Sequence, residues 1–139
     1  MRIMAIDYGD AHTGIAISDP TGFLAGFTTV INAYRPEVVA EQVAALAKEH
    51  GVEELVLGHP INMDGTRGPR SEKAQAMKAL LEETTSLPVV LWDERRTTID
   101  AHQILMNSGK NAKKRKKVVD AVAATLILEG YLTYKKSRL

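Results

Sequence analysis

The hydrophobic pattern of the chain changes its period after about residue 31, and this change limits the folds that the sequence can adopt. Before the change, residues 2–8 and 13–19 each show the apolar pattern of a short strand, and residues 23–31 supply a third. The segment Asp19-Pro20-Thr21-Gly22 has proline and glycine in turn positions. The first 31 residues are therefore predicted to form an antiparallel meander of three strands.

After the change, segments with helical spacing alternate with short strand-like segments. Pro36 suits the first turn of a helix that ends near Gly51, and Ser71 is a candidate cap for a second helix. The other predicted elements are strands at 54–58 and 88–93, and helices from Thr97 to Met106 and from about Lys117 to Tyr134. Because strands that alternate with helices usually pair in parallel, the expected fold class is α/β, with a five-stranded mixed sheet flanked by helices.

The length and composition limit the class of protein further. A chain of 139 residues is expected to form a single domain, 1–139. It contains no cysteine, which excludes disulfides and thiolate metal sites. No segment near Met1 resembles a signal peptide, and no apolar run approaches the length of a membrane span, so we expect a cytoplasmic protein.

Positive charge is concentrated late in the chain, although the net charge is only +1. Nine of the 18 lysines and arginines lie from Lys110 onward, and five of them are consecutive: Lys113, Lys114, Arg115, Lys116 and Lys117. A basic run of this kind is often only a solvated surface. It is expected to lie immediately before the helix that carries Asp120, where it would steer a phosphate backbone. Aromatic residues make up only 5% of the chain, too few for a platform that stacks single-stranded bases, which favours a structured or duplex substrate.

Two acidic positions follow strand-like segments. Asp7 comes directly after the apolar run Ile3-Met4-Ala5-Ile6, and Asp93 and Glu94 follow Val89-Val90-Leu91-Trp92. Open α/β sheets place their sites at the carboxyl ends of parallel strands. Asp7 could instead cap the turn at Gly9, and Glu94 could pair with a neighbouring arginine. Trp92 itself is expected in the core or at the edge of the sheet.

A third acid lies within an apolar helix. Asp120 interrupts the segment Val118–Leu128, and it shares a helix face with Ala123, Ala124 and Ile127. Removing an ionised carboxylate from water costs on the order of several kcal/mol, and a cation or good hydrogen-bond donors must offset this cost. An ion pair with the basic run, or a position near the helix N-terminus, is the alternative explanation.

Three separated acids in such positions suggest oxygen ligands for Mg²⁺ or Mn²⁺. One or two such ions would activate water and stabilise the reacting oxygens without a His, Cys or Ser nucleophile. The four histidines show no spacing typical of metal ligands. The loop at 58–70 is long and rich in Gly and Pro, and its Arg67 and Arg70 could receive a phosphate, or the loop could simply be solvated.

Several motifs in order resemble the YqgF family, which is described as pre-16S ribosomal RNA nucleases and as Holliday-junction-resolvase-like proteins. The motifs cover nearly the whole chain: Asp7-Tyr8-Gly9 with Gly14-Ile15-Ala16 and Ser18-Asp19, Gly58 and Pro60 with Asn62-Met63-Asp64-Gly65, Asp93-Glu94-Arg95 with Thr97-Thr98, and the lysine-rich stretch before Val118-Val119-Asp120 and Ala123-Ala124. The resemblance implies an RNase H-like fold and catalytic, metal-binding roles for Asp7, Glu94 and Asp120. Family members often have Lys or Arg where His12 stands here, so a phosphate contact at His12 would be weaker or pH-dependent.

The resemblance favours metal-dependent cleavage of RNA during maturation of the 5′ end of 16S ribosomal RNA. Arg67, Arg95 and the run from Lys113 to Lys117 would position the backbone. The nearest alternative is resolution of branched DNA, which would call for a homodimer that cuts two strands. Two other hypotheses are a non-catalytic RNA-binding assembly factor and an actin-like ATP-binding module. The second is opposed by the length, because that fold generally needs two such domains.

Overall fold

Five strands and three helices make up the part of the chain that the computed structural model describes. That part comprises residues 1–22, 25–59, 68–93 and 112–137, with side chains in the last range from residue 121 onward. The strands are β1 (Arg2–Asp7), β2 (His12–Ser18), β3 (Ala25–Asn32), β4 (Val52–His59) and β5 (Val89–Asp93). The helices are α1 (Pro36–His50), α2 (Pro69–Thr85) and α3 (Ala112–Ser137). None of the described helices has the length and apolarity that crossing a membrane requires.

The strands form one mixed sheet in the order β3-β2-β1-β4-β5. β1 pairs antiparallel with β2, and β2 pairs antiparallel with β3, which confirms the predicted meander. On its other side β1 pairs parallel with β4, and β4 pairs parallel with β5. Strand β1 therefore lies at the centre of the sheet, with an antiparallel neighbour on one side and a parallel neighbour on the other.

Helices cover the sheet on both faces. Met4 and Ile6 of β1 belong to a core that includes residues of α1 and α2, whereas Ile3 and Ala5 belong to a second core with α3. All four of these side chains are buried, as expected for a central strand whose alternate residues face two apolar layers. The predicted α/β fold class, with helices flanking a five-stranded mixed sheet, is confirmed.

The termini of α1 follow the local chemistry of the sequence. Pro36 occupies the first turn, where its missing N–H group costs no hydrogen bond. Gly51 adopts a left-handed conformation with φ of 67°, and its N–H donates to the carbonyl of Ala47. The helix is thus closed where the sequence predicts.

Ser71 does not cap α2, and that prediction is wrong. The helix begins two residues earlier, at Pro69, with Gly68 as the capping residue and no side-chain cap. Ser71 lies inside the first turn, is fully buried, and its hydroxyl pairs with the imidazole of His59 at 2.6 Å. Its polar group therefore serves a tertiary contact, although serine by itself also favours helix caps.

The last helix also begins earlier than predicted, at Ala112 instead of about Lys117. The five consecutive basic residues therefore lie within the first turns of α3 and not before it. The apolar periodicity that indicates this helix starts only at Val118, so it does not reveal the polar first turns. Phe23, where the third strand was predicted to start, and the predicted helix from Thr97 to Met106 lie outside the described residues.

Strand β4 is longer than predicted, since it runs from Val52 to His59. The acidic pair Glu53-Glu54 interrupts the apolar pattern, which makes the start of the strand hard to recognise. Glu54 is nevertheless buried, because its carboxylate accepts hydrogen bonds from the Tyr131 hydroxyl and, at 3.0 Å, from the Lys135 ammonium. These contacts attach α3 to the first half of β4.

Candidate active site

The three parallel strands end at one edge of the sheet. The final residues are Asp7 in β1, His59 in β4 and Asp93 in β5. His59 is the register partner of Asp93, and Ile6 is the partner of Leu57. Asp7 and Asp93, which the sequence places at strand ends, therefore lie at the same edge, on strands separated by β4.

Asp7 is half-buried at the end of the central strand. Side chains alternate along a strand, so Asp7 shares the face of Ile3 and Ala5, which is the face that α3 covers. Its register partner on β2 is Gly14, which has no side chain to fill the space beside the carboxylate. Asp7 has no hydrogen bond or ion pair among the described residues, and a half-buried carboxylate of this kind suits a hard cation as partner.

The turn after Asp7 requires glycine at position 9. A Cβ atom at Gly9 would collide with the backbone carbonyl oxygen of His12. The turn between β1 and β2 can therefore close this tightly only without a side chain at that position. The imidazole of His12 lies within 2.6 Å of the Asn32 side-chain oxygen on β3, an exposed contact.

Helix α3 packs over the face that carries Asp7. Ala123, Ala124 and Ile127 are buried against that face. Position 120 lies on the same helix three, four and seven residues earlier, so helical periodicity aligns it with them. The side chain of Asp120 is outside the described part of the chain, as are those of Lys113, Lys114, Arg115, Lys116 and Lys117.

Glu94, Arg67 and Arg95 also lie outside the described residues. Glu94 directly follows Asp93 in the chain, so covalent geometry keeps it near the end of β5. Among the residues with described side chains, no group of three or more His, Asp or Glu could hold a metal ion. The assembly of Asp7, Glu94 and Asp120 into one site therefore stays a prediction.

A small cavity of about 90 Å³ lies at the same edge, on the opposite side of the sheet from Asp7. Tyr8, which packs against the core beneath α1 and α2, begins its lining. The lining residues are Tyr8, Gly9, Asp10, Gly58, Arg70, Lys73 and Ala74. The cavity thus joins the turn after Asp7 to the first turns of α2.

Charged groups define the electrostatics of this cavity. The Lys73 ammonium donates to Asp10 Oδ1 at 3.0 Å, and this hydrogen bond, together with the positive charge, lowers the pKa of the Asp10 carboxyl. Burial raises the pKa of the Tyr8 hydroxyl, and the negative charge of Asp10 adds to that effect. Tyr8 therefore stays a neutral hydrogen-bonding group at physiological pH.

The buried pair of His59 and Ser71 joins the end of β4 to the start of α2 and does not line this cavity. Both residues were missed as parts of the candidate site. His59 stands apart from the other histidines in the sequence, so a search for metal-ligand spacing could not find it. The available signal is that His59 directly follows the strand predicted at 54–58.

Trp92 lies on the edge strand β5, as the sequence predicts, and it packs against α3. Its ring makes an edge contact with Tyr131, with centroids 5.9 Å apart. A Cβ atom on Gly130 would lie 3.2 Å from the indole, so the helix passes this strand closely. The tryptophan is therefore part of the packing between α3 and the sheet.

Two solved structures with a similar fold contain a Holliday junction. RuvC of T. thermophilus in complex with a Holliday junction substrate superimposes with a TM-score of 0.62 at 13% identity, over 98% of this chain and 96% of that one. The Fowlpox virus resolvase in complex with Holliday junction DNA superimposes with a TM-score of 0.57 at 12% identity, over 100% and 99% of the two chains. The fold is therefore the RNase H-like fold of the RuvC-like resolvases.

Sequence comparison defines the family. The family model described as "RuvX: Holliday junction resolvase" matches residues 1–134. A Halothermothrix orenii protein named "Putative pre-16S rRNA nuclease" is 44% identical over 97% of this chain and 96% of its own length. A Bacillus subtilis protein of the same name is 43% identical over 95% and 97% of the two chains. The chain belongs to the RuvX family, also called YqgF, and is accordingly a nuclease that hydrolyses phosphodiester bonds.

Proposed function

We propose that the chain is a divalent-metal-dependent endonuclease that processes the 5′ end of pre-16S ribosomal RNA in the cytoplasm. The observation that carries this proposal is the position of Asp7. Its half-buried carboxylate ends the central strand, on the face covered by the helix that bears Asp120. The names of the relatives, "Putative pre-16S rRNA nuclease", supply the substrate.

The proposed ligands are Asp7, Glu94 and Asp120, which would hold one or two Mg²⁺ or Mn²⁺ ions. The donor set fits these ions because all three groups are carboxylates, and hard divalent cations prefer oxygen ligands. When bound, the ions would lower the pKa of water and neutralise charge on the reacting phosphate. The chain's own contribution is to hold Asp7 rigidly, since β1 is paired on both sides and covered on both faces.

The basic residues would position the nucleic acid. Arg67, Arg95 and the run from Lys113 to Lys117 are proposed to contact phosphates, and the run lies within the first turns of α3. Asp120 follows on the same helix only three residues after Lys117, so a backbone drawn to the run would arrive close to the proposed ligands.

The test is cleavage of a precursor 16S RNA fragment by wild-type protein and the Asp7→Asn variant in EDTA, Mg²⁺ and Mn²⁺. We expect metal-dependent cutting by wild type and a loss of at least about a hundredfold in the variant, because removal of one charged group at the reacting centre costs several kcal/mol. Asp19→Asn is the matched control, since Asp19 accepts a hydrogen bond from Thr21 in the turn after β2.

The same experiment separates the alternatives. A four-way DNA junction cut in preference to the RNA would favour the resolvase function that the family description names, and the oligomeric mass would then show whether a homodimer makes the two cuts. RNA binding without cleavage in any metal would instead identify a non-catalytic assembly factor. Full activity of Asp7→Asn would disprove the proposed site.

A further inference from the structure

We infer that the cavity lined by Tyr8, Arg70 and Lys73 is a second phosphate-binding site, which takes a neighbouring phosphate of the same nucleic acid strand whose scissile phosphate lies at Asp7. The inference rests on the proposed function only for the identity of the strand. The binding of one phosphate group in the cavity is inferred from the residues that line it.

The first argument is the position of the cavity. Asp7 and Tyr8 are consecutive, and their side chains point to opposite faces of the sheet edge, so the cavity begins one residue from the proposed metal ligand. A strand that crosses this edge would pass from the face of Asp7 to the mouth of the cavity, where we expect it to place one of its nearby phosphates.

The second argument is the placement of positive charge. Arg70 and Lys73 lie in the first turns of α2, where the helix dipole disfavours cations. Arg70 is exposed, and its positive charge acts on the Asp10 carboxyl, whose pKa it helps to lower. Asp10 offsets only one of these two positive charges, so the lining keeps an excess of positive charge that favours an anion.

The third argument is that Lys73 can exchange its present partner, Asp10, for a phosphate. Lys73 is paired with Asp10, but the two side chains are 56% and 81% exposed. Exposed ion pairs contribute little to stability, so Lys73 can leave Asp10 for a phosphate at small cost. The volume of about 90 Å³ is about three times the roughly 30 Å³ that one water occupies in the liquid, which leaves room for a group of several oxygens.

Asp10 is expected to limit phosphate binding in the cavity. It lines the cavity, and its exposed carboxylate competes for Lys73 and repels an incoming phosphate. The Asp10→Asn substitution removes this charge and weakens the pairing, so it is expected to strengthen phosphate binding. If the Lys73–Asp10 pair were only structural, Asp10→Asn would tighten RNA binding no more than removal of an exposed carboxylate outside the cavity, such as Glu83→Gln on α2.

The experiment measures RNA binding in EDTA as a function of salt, so that cleavage does not enter. Arg70→Gln and Lys73→Gln should each weaken binding several-fold, independently of sequence, and reduce the salt slope by about one. Asp10→Asn should tighten binding several-fold. Lys78→Gln is the matched control, because Lys78 is on the same helix and pairs with Glu82 at 3.3 Å but does not line the cavity.

A second arm uses inorganic phosphate as the probe and follows the backbone amide signals of Gly9, Gly58 and Lys73 by NMR. Saturable shifts that Arg70→Gln abolishes would support a phosphate site whether or not the protein cleaves RNA. If phosphate causes such shifts but the variants bind RNA like the wild type, the cavity binds free phosphate, and the inference that it takes a phosphate of the nucleic acid is wrong. Wild-type affinity and salt slope in both cationic variants, with no phosphate-induced shifts, would overturn the site altogether, even if Asp7→Asn still lost cleavage.

Discussion

At the scale of single residues, the turn beside the candidate site requires glycine at position 9. Any side chain at this position meets the His12 carbonyl, so Gly9→Ala must shift the turn that follows Asp7 and Tyr8. We expect a loss of about 1–3 kcal/mol in the free energy of unfolding, as for other overpacked positions, and a large loss of cleavage. Urea denaturation and a cleavage assay measure the two effects.

Gly51→Ala is the control for this prediction. Its φ of 67° also disfavours alanine, by about 1–2 kcal/mol, but nothing lies within 4 Å of the new Cβ. Gly51 connects α1 to the beginning of β4, at the end of that strand opposite to His59. The two variants should therefore lose similar stability, and only Gly9→Ala should lose cleavage. Equal activities would show that the turn does not position Asp7.

The sequence predicts residues correctly where local chemistry decides their role. Asp7, Pro36 and Gly51 each stand next to a clear boundary of an apolar pattern, and the structure places each at the end of an element. Ser71 differs because its neighbour is His59, which lies twelve residues earlier in the sequence. A preference for helix caps describes only the nearest backbone, so it could not reveal that contact.

At the scale of elements, the attachment of α3 to β4 gives a stability that depends on pH. The Tyr131 hydroxyl donates to Glu54, and burial together with this hydrogen bond raises the pKa of Tyr131 well above its usual value. An unfolded tyrosine ionises near pH 10, whereas the folded protein retains the proton. The contribution of Tyr131 is thus complete below about pH 10 and is lost as the pH rises further.

We expect the free energy of unfolding of the wild type to fall more steeply above about pH 10 than that of Tyr131→Phe. At pH 7 the variant should be less stable by about 1–3 kcal/mol, because Glu54 loses a buried donor. Tyr34→Phe, at a residue that is 82% exposed, should behave as wild type. The measurement is urea denaturation from pH 7 to 11. Parallel pH dependences for wild type and Tyr131→Phe would contradict the role of this hydrogen bond.

Element boundaries show why the rest of the fold was harder to predict. Glu54 makes the beginning of β4 look exposed, because its partners Tyr131 and Lys135 are separated from it by 77 and 81 residues. The first turns of α3 carry basic residues without apolar periodicity, so the sequence indicates only the part that packs on the sheet. Contacts between residues far apart in sequence and polar helix turns are the two cases that a local hydrophobic pattern cannot show.

At the scale of the whole molecule, the distribution of charge is expected to control substrate capture. Replacing Lys113, Lys114, Arg115, Lys116 and Lys117 by glutamine changes the formal net charge from +1 to −4, since five positive charges are removed. A polyanion would then be repelled and not attracted. We expect KM for the precursor RNA to rise at least about tenfold at low salt, with kcat largely retained.

Steady-state cleavage at two salt concentrations tests this prediction. High salt should reduce the difference between the variant and the wild type, because screening weakens long-range attraction. A fall in kcat with unchanged KM would show that the basic run acts on the reacting phosphate and not on capture.

The separation in sequence between β1 and α3 sets when the site can be completed during synthesis. Asp7 precedes the start of α3 by 105 residues, the difference between positions 112 and 7. At about 5–20 residues per second, roughly 5 to 20 seconds pass between the appearance of the first proposed ligand and that of the helix covering it. Until then the sheet face beside Asp7 is open, so a partly synthesised chain still attached to a ribosome would have no working centre with which to cut RNA nearby.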